Sequence, residues 1–283
     1  SVGEEYSTYN INYKQSLTDK TALGFQVRTP IGADVLYPSG SALSGISVDY
    51  DSSSLSLMGL YKQNKSFSLL GGLYSQSQNG NVLIPFPNNY SATASKDTGT
   101  GIIAGASYSI PEIALKASFS YFSEISTSHA TIENGVLETV TDITSPSGWN
   151  IDFETGIAAN TLAFASVNYQ DWDKFVLDPV GFRTSTGDAL YDPESVTTYT
   201  LGLGRKFTDT LAGYASYTLK EETDGTASAL APTDGYYDVS IGLRYTIDKI
   251  DFGVGGTMRT YTNDVATTQE ILPGVPIGNF TNN

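Results

Sequence analysis

The sequence alternates short turns with long connections between segments that have the composition of β-strands. The strand-like segments form six pairs, each joined by a short polar turn: residues 6–13 and 21–28, 47–61 and 67–77, 101–109 and 113–122, 149–158 and 161–170, 197–206 and 211–220, and 236–247 and 250–261. The connections between pairs are rich in Gly, Pro, Asn, Asp and Ser, which indicates loops, and they cover residues 29–45, 78–100, 123–148, 171–196 and 221–235. Short turns at one end of a sheet and long loops at the other are typical of outer-membrane β-barrels.

Within the strand-like segments the pattern has a period of two. In residues 237–247 one face is large and apolar, and the other is small, polar or charged. The apolar set is Tyr237, Val239, Ile241, Leu243, Tyr245 and Ile247, and the polar set is Asp238, Ser240, Gly242, Arg244 and Thr246. Segments of about ten residues fit a tilted strand that crosses a bilayer, whereas ordinary strands average about five or six. The sequence therefore predicts an all-β fold, a transmembrane antiparallel β-barrel.

Composition supports this fold and narrows the function. Charged residues make up 16% of the chain, against about 25% in an average soluble domain. The 19 tyrosines suit rings of aromatic side chains at the membrane surfaces. A net charge of −15 makes nucleic acid a poor partner. A soluble β-sandwich that binds carbohydrate stays open as an alternative, because it shows the same alternation with its apolar face turned inward.

Few side chains in the sequence could carry covalent chemistry. There is no cysteine, and the single histidine, His129, falls in a connection where we expect it to be exposed. We therefore expect no enzyme activity, no cofactor and no histidine-based metal site. An outer-membrane hydrolase is the enzymatic alternative, and it would need a serine paired with His129 on one strand face. Asp188, Asp192 and Glu194 could hold Ca²⁺, although ordinary solvation is the expectation.

The strand count bears on the ends of the chain. Twelve strands would begin and end on the long-loop side, whereas single-chain bacterial barrels have an even strand number and short periplasmic turns. Both termini of such a barrel are ordinarily periplasmic. We therefore expect residues 1–283 to form one outer-membrane barrel domain, with about twelve strands of a fourteen-stranded wall and without its first and last strands.

Two segments resemble a known family. Residues 23–32, Leu-Gly-Phe-Gln-Val-Arg-Thr-Pro-Ile-Gly, and residues 165–175, Ala-Ser-Val-Asn-Tyr-Gln-Asp-Trp-Asp-Lys-Phe, are similar to segments of the FadL family of outer-membrane transporters, which carry long-chain fatty acids and hydrocarbons and include the TodX type. Residues 236–261 and the tail Leu272-Pro273-Gly274 are also similar to the family's last complete hairpin and loop. The order and spacing of these motifs extend the resemblance over most of the chain. The family has an N-terminal hatch with an Asn-Pro-Ala motif, and we expect the domain formed by residues 1–283 to lack it.

The resemblance implies a fourteen-stranded barrel in the outer membrane of a Gram-negative bacterium. It implies uptake of hydrophobic small molecules, which bind inside the barrel and leave sideways into the membrane. The expected partners are outer-membrane lipid, lipopolysaccharide and the hydrophobic ligand, and we expect a monomer. A general diffusion porin for polar solutes is the alternative function.

Inward-facing cations are the candidate ligand contacts. Strand parity points five cations and one aromatic ring into the lumen: Arg28, Lys116, Lys206, Arg244, Arg259 and Phe164. A carboxylate in a passage of low dielectric constant would favour such a cationic partner. The alternative is that each cation pairs with a luminal carboxylate, of which Asp152, Glu154, Asp238 and Asp251 are examples.

A possible opening in the wall follows Arg28. Thr29, Pro30 and Gly32 fall where a strand should continue, and proline removes a donor from the hydrogen-bond ladder. In the resembling family a kink in this region opens a lateral exit for ligand. The alternative is a simple strand end before a loop.

Two connections are unusually apolar. Residues 82–87 and 271–277 could form a hydrophobic entry groove, or they could pack on one another over the barrel mouth. We expect Trp172 and Phe175 to anchor the chain at the outer membrane interface rather than to contact ligand.

Overall fold

A computed structural model describes residues 7–41, 43–86, 89–223, 228–231, 234–248 and 250–262, and the backbone of residues 267–272 and 275–280. Its strands are β1 (Asn10–Ser16), β2 (Thr21–Arg28), β3 (Ala33–Leu36), β4 (Ser47–Lys62), β5 (Phe67–Ile84), β6 (Tyr90–Ile110), β7 (Leu115–Phe122), β8 (Ile125–Glu133), β9 (Leu137–Ser145), β10 (Ser147–Ala158), β11 (Thr161–Asp171), β12 (Val196–Lys206), β13 (Leu211–Lys220), β14 (Tyr236–Ile247), β15 (Ile250–Tyr261), β16 (Thr267–Leu272) and β17 (Val275–Phe280). The described residues also contain one α-helix, α1 (Val180–Thr186), and a short 3₁₀ helix at Pro111–Ile113. No helix of the described residues is long and apolar enough to cross a membrane.

One antiparallel sheet contains fifteen of these strands. Neighbours follow the order β1-β2-β4-β5-β6-β7-β10-β11-β12-β13-β14-β15, while β3, β8 and β9 pair beside this path. The path holds the twelve strands that the turn pattern predicts, paired in chain order as successive hairpins. We call the end of the sheet with the short turns the turn end, and the opposite end the loop end.

The two faces of the sheet differ as predicted. Large apolar side chains cover one face and are exposed, among them Leu73 at 65%, Ile241 at 63% and Val254 at 71% of full exposure. The opposite face, called here the inner face, carries buried polar side chains such as Ser54, Ser56 and Gln76. A soluble sandwich would turn its apolar face inward. A broad exposed apolar face instead requires a non-aqueous surrounding.

Three of the long connections contain strands, so the prediction of loops there was wrong. β5 and β6 continue for 18 and 21 residues, well beyond the roughly ten residues that cross a bilayer. Residues 123–148 form the β8–β9 hairpin, whose turn holds Asn134 at φ 51° and Gly135 at φ 74°. Residues 29–45 contain β3, which pairs with β4. Alternating Ser and Thr sustain these strands although large apolar residues are sparse.

The apolar core lies in this extension at the loop end. Tyr37, Ile46, Ile84 and Tyr90 are buried together with Phe182 of α1. A second buried group joins Tyr50, Ile143 and Phe175. The barrel wall therefore supports a packed structure at the loop end, and the candidate site lies within it.

Candidate ligand-binding site

A cavity of about 260 Å³ lies inside the loop-end extension. Its walls come from the start of β3, from β4, β5 and β6, from the β8–β9 hairpin, and from the connections β11–β12 and β13–β14. Most of the lining is apolar, including Val48, Val82, Ala92, Ile143 and Leu230. An engineered apolar cavity of roughly 150 Å³ admits benzene. The space therefore suits one aromatic ring or a short stretch of alkyl chain.

Aromatic side chains form one wall of the cavity. The ring of Phe175 meets those of Tyr50, Trp172 and Tyr191 edge to face, with centroid distances of 6.0, 5.3 and 6.3 Å. Burial raises the pKa of Tyr191 to about 12, and burial also raises the pKa of Tyr50, so both phenols are neutral at physiological pH. The wall carries no charge that would repel an apolar ligand.

The position of Phe175 corrects the prediction of an interfacial anchor. Its side chain is only 3% exposed. The Phe175 N–H donates to the Trp172 carbonyl (2.7 Å), which closes a turn that directs the ring inward. Trp172 also lines the cavity. Sequence alone placed both residues just after the predicted strand at residues 161–170, at the membrane interface, and did not reveal this turn.

A buried hydrogen-bond network borders the cavity. The Tyr50 hydroxyl donates to Gln78 Oε1 (2.7 Å), and Gln76 Nε2 donates to Ser145 Oγ (2.8 Å). Gln78 Nε2 donates in turn to the Thr127 hydroxyl. These side-chain hydrogen bonds connect β4 and β5 to the β8–β9 hairpin in place of a backbone ladder.

His129 belongs to this network, so the prediction of an exposed loop histidine was wrong. Its side chain lies on β8 and is fully buried. Nδ1 donates to the Ser95 carbonyl (2.7 Å), since a carbonyl can only accept, and Nε2 pairs with the Thr127 hydroxyl (2.8 Å). The imidazole therefore connects β8 to β6. Asn134-Gly135 is a recognisable hairpin signal, and it could have placed His129 on a strand.

Glu133 fixes the connection that carries the aromatic wall. Its carboxylate is fully buried and accepts hydrogen bonds from the Gly181 and Phe182 N–H groups (2.9 and 3.0 Å), and from the Tyr90 and Thr139 hydroxyls (both 2.8 Å). Burial by itself raises the pKa of Glu133, but these four donors outweigh it and hold the pKa below its ordinary value. The charged form therefore holds α1 against β6 and the β8–β9 hairpin.

The hydrogen-bond ladder breaks beside the cavity. Pairing between β2 and β4 ends at Arg28 and Ser54, and pairing between β3 and β4 begins at Ala33 and Tyr50. Between them, the Ile31 N–H donates to the Ser52 hydroxyl (2.9 Å), and that hydroxyl donates to the Ile31 carbonyl. Ile31 and Gly32 line the cavity. The segment predicted as a lateral opening, Thr29, Pro30 and Gly32, therefore lies at this interruption of the ladder on β4.

The cations predicted to contact ligand have different partners in the structure. Arg259 donates two hydrogen bonds to Asp238 (both 2.9 Å), and Lys206 pairs with Asp209 (2.8 Å). For Arg259 the predicted alternative, pairing with a luminal carboxylate, is therefore what the structure contains. Lys116 lies opposite Glu154 in the β7–β10 register.

A second, more open cavity of about 970 Å³ brings together three of the candidates, Phe164, Lys206 and Arg244. It is formed by β10 to β15 towards the turn end, apart from the apolar cavity. Arg28 alone of the six candidates lies beside the ladder break.

Of the two apolar segments predicted to form an entry groove, the structure describes residues 82–86. In residues 82–87, Val82 lines the cavity and Ile84 is buried in the core. The side chains of residues 271–277 lie outside the described residues. Among the described residues no group of three or more Asp, Glu, His or Cys side chains is arranged to hold a metal ion.

Several solved structures resemble this one. A FadL homologue of Pseudomonas aeruginosa superposes with a TM-score of 0.72 at 16% identity, over 93% of this chain and 72% of that one. The chain has the fold of the FadL-type barrels. The toluene transporter TbuX of Ralstonia pickettii gives a TM-score of 0.60 at 13% identity, over 89% and 76% of the two chains.

The Pseudomonas putida toluene transporter TodX superposes with a TM-score of 0.58 at 14% identity, over 88% of this chain and 76% of that one. No protein-family model and no curated protein sequence matches the chain. In a FadL-type barrel the exposed apolar face of the sheet is the outer wall, so the cavity and the buried polar network lie on the inside.

Proposed function

We propose that this protein takes up hydrophobic small molecules across the bacterial outer membrane, without covalent chemistry. The observation that carries the proposal is the apolar cavity at the loop end, bordered by the break at Pro30. A ligand would enter among the long loops and bind against the aromatic wall. It would leave sideways through the break, where lipid meets the wall.

Three features support this function over a general diffusion porin. The cavity wall is mostly apolar, with Asp49 as its charged residue, whereas a porin surrounds a water-filled channel with polar side chains. The β8–β9 hairpin and α1 fill the loop end with packed side chains. The structures of similar fold are those of a FadL homologue and of hydrocarbon transporters. Outer-membrane lipid and lipopolysaccharide are the proposed surroundings, and we propose that the protein acts as a monomer.

Filling the cavity tests the proposal. Ala94 lines the cavity on β6, and Ala94→Phe places a ring in the space that a ligand would occupy. We expect the affinity for a monoaromatic hydrocarbon or an alkyl chain to fall at least about tenfold, a loss of roughly 1.4 kcal/mol. Displacement of a fluorescent apolar probe from protein in lipid nanodiscs measures this.

The matched control is Ala104→Phe, because Ala104 is exposed on the same strand. Equal affinity in both variants would contradict binding in the cavity. A large ion conductance of the native protein in a planar bilayer would favour the porin instead.

A further inference from the structure

The β8–β9 hairpin leaves one strand at the loop end with a free edge. Within the described residues β9 pairs only with β8, over the nine residues Leu137–Ser145. Its opposite edge forms no backbone hydrogen bond with any described residue. An unpaired strand edge presents a row of N–H and C=O groups with which another chain can pair. This edge is therefore a candidate surface for a protein partner.

The sequence of β9 leaves this edge open to pairing. Natural edges are commonly protected by proline, by a bulge or by lysine. β9 contains no proline and no lysine, and its register with β8 runs without a shift from Leu137, opposite Glu133, to Ser145, opposite Ile125. The helix α1 lies beside the first residue of the strand, Leu137. Beyond that residue, positions 138–145 form a regular edge.

The charges along this edge all have one sign. Glu138 and Asp142 are exposed on the outer face of β9, and Val140 between them is 59% exposed. Asp142 accepts a hydrogen bond from the Ser128 hydroxyl (2.5 Å), but neither carboxylate forms a salt bridge with another described residue. Four residues of strand separate the two carboxylates, or about 13 Å. The edge thus presents an apolar side chain between two carboxylates that no described cation neutralises.

A second copy of the chain is a poor occupant of this edge. If two β9 strands paired antiparallel about Val140, Glu138 of one copy would lie opposite Asp142 of the other. Like charges directly opposite each other destabilise a strand pair, and each copy carries a net charge of −15. The same geometry favours a strand with two cations four residues apart and an apolar residue midway, because directly opposed side chains lie only about 5 Å apart.

We propose that β9 docks an extended basic segment of another protein, which adds a strand to the sheet at the loop end. Backbone hydrogen bonds to the free edge hold the segment extended, and its two cations pair with Glu138 and Asp142. The apolar residue midway between the cations packs on Val140. The opposite face of β9 carries Thr141 and Ile143, which line the apolar cavity, so the partner lies beside the cavity wall. This inference goes beyond hydrophobic uptake and does not depend on it.

Two peptides of identical composition test the docking edge. Ser-Thr-Lys-Thr-Val-Thr-Lys-Thr-Ser has its lysines four residues apart and therefore on one strand face, whereas Ser-Thr-Lys-Thr-Val-Lys-Thr-Thr-Ser has them three apart and on opposite faces. The full chain is studied at low salt in nanodiscs of zwitterionic lipid, which does not attract the peptides. We expect the first peptide to slow hydrogen exchange of every second β9 amide, those on the free edge. Fluorescence anisotropy of the labelled peptides should show that the first binds about threefold more tightly, because the second loses one exposed ion pair.

Removing both carboxylates tests their role. Glu138→Gln combined with Asp142→Asn should weaken binding of the first peptide about tenfold and remove its advantage over the second. Asp19→Asn combined with Glu112→Gln is the control, since it removes the same charge from exposed positions at the turn end. The control should leave both affinities unchanged. The comparison of the two peptides on native protein carries the test if the β9 variant does not fold.

Three results would overturn the inference. Slow exchange of the free-edge amides without peptide would mean that another part of the chain already covers the edge. Protection that increases with protein concentration alone would assign the edge to a second copy. Equal binding of the two peptides, or no protection of β9 by either, would leave only a general attraction between basic peptides and an acidic protein. Binding of an apolar probe in the cavity is measured separately, so hydrophobic uptake stands or fails independently of these results.

Discussion

At the scale of single residues, the carboxylate of Glu133 holds separate segments of the chain together, as a disulfide or an apolar core does in other proteins. Glu133 is buried and forms no salt bridge within the described part of the chain, and four hydrogen-bond donors compensate its charge. Leaving a buried polar group unsatisfied costs roughly 1–3 kcal/mol. The position of the aromatic wall therefore depends on the ionised side chain of Glu133, which belongs to β8 and not to the connection that carries the wall.

Glu133→Gln should loosen α1. An amide offers one accepting oxygen in place of two, so at least one of the Gly181 and Phe182 N–H groups loses its acceptor. We expect hydrogen exchange of these amides to rise, and the α1 contact to weaken by about 1–3 kcal/mol. Glu138→Gln, at an exposed position of β9, is the control. Unchanged exchange in Glu133→Gln would show that packing of Phe182 alone holds the helix.

The same contact should depend on pH with a defined sign. The folded-state pKa of Glu133 lies below its ordinary value of 4.5. Its contribution is therefore fully present above that value, and is lost as the pH falls through the lower folded-state value. Protection of α1 should be constant from neutral pH to about 5 and should decrease under stronger acid. Hydrogen exchange at matched intrinsic rates measures this, and loss of protection already near pH 6 would contradict it.

At the scale of elements, the break between β2 and β3 interrupts the ladder beside the cavity. A single side chain, Ser52, bonds the backbone there, while the flanking residues are held by regular ladders. Proline at position 30 cannot donate to a ladder, so the gap is built into the sequence. A segment with few backbone bonds is where local opening costs least.

Closing this break should block release but not binding. The native chain has no cysteine, so Ile31→Cys with Ser52→Cys can be oxidised without side reactions at other thiols. We expect the oxidised double variant to bind ligand and to transfer it poorly into the membrane, with transfer restored by a reductant. Transfer of a fluorescent fatty acid into cells that lack a transporter of this kind measures the effect. Equal transfer in both redox states would place the exit elsewhere.

The sequence predicted the strands of the barrel wall well, but it did not predict the extension at the loop end. Period-two alternation reports directly on the two faces of a strand, and so the faces of β14 and β15 were correct. β8 and β9 were not predicted because Ser and Thr occupy most of the positions at which large apolar residues would indicate a strand. The cavity was beyond prediction, since its lining joins distant segments whose approach depends on Glu133. Parity placed Arg28 inside the barrel, but only the structure shows that its Nε has no hydrogen-bond partner among the described residues.

At the scale of the whole molecule, the outer apolar face separates this protein from any soluble β-protein. A charge on an exposed position of a soluble domain changes stability by little. On the lipid face of a barrel, arginine near the bilayer midplane costs about 2–4 kcal/mol. A charge introduced at the exposed position of Leu73 would therefore cost little stability in a soluble domain and much more in a barrel surrounded by lipid.

Leu73→Arg should destabilise the folded barrel by about 2–4 kcal/mol in lipid vesicles. Ser77→Arg, four residues further towards the loop end on the same strand face, should cost about 1 kcal/mol or less because it lies nearer the interface. Reversible urea unfolding measured by tryptophan fluorescence gives both values. Similar small losses at the two positions would argue that this face does not meet lipid.

The cavity also constrains how the protein is assembled. Its lining runs from Ile31 to Ala231, so its contacts are among the most distant in sequence that the chain makes. Contacts of high sequence separation form slowly, because the entropy of closing large loops must be overcome first. The cavity can exist only after nearly the whole wall has been inserted. A nascent chain in the periplasm then has no means to capture a ligand, and binding competence becomes a property of the finished barrel alone.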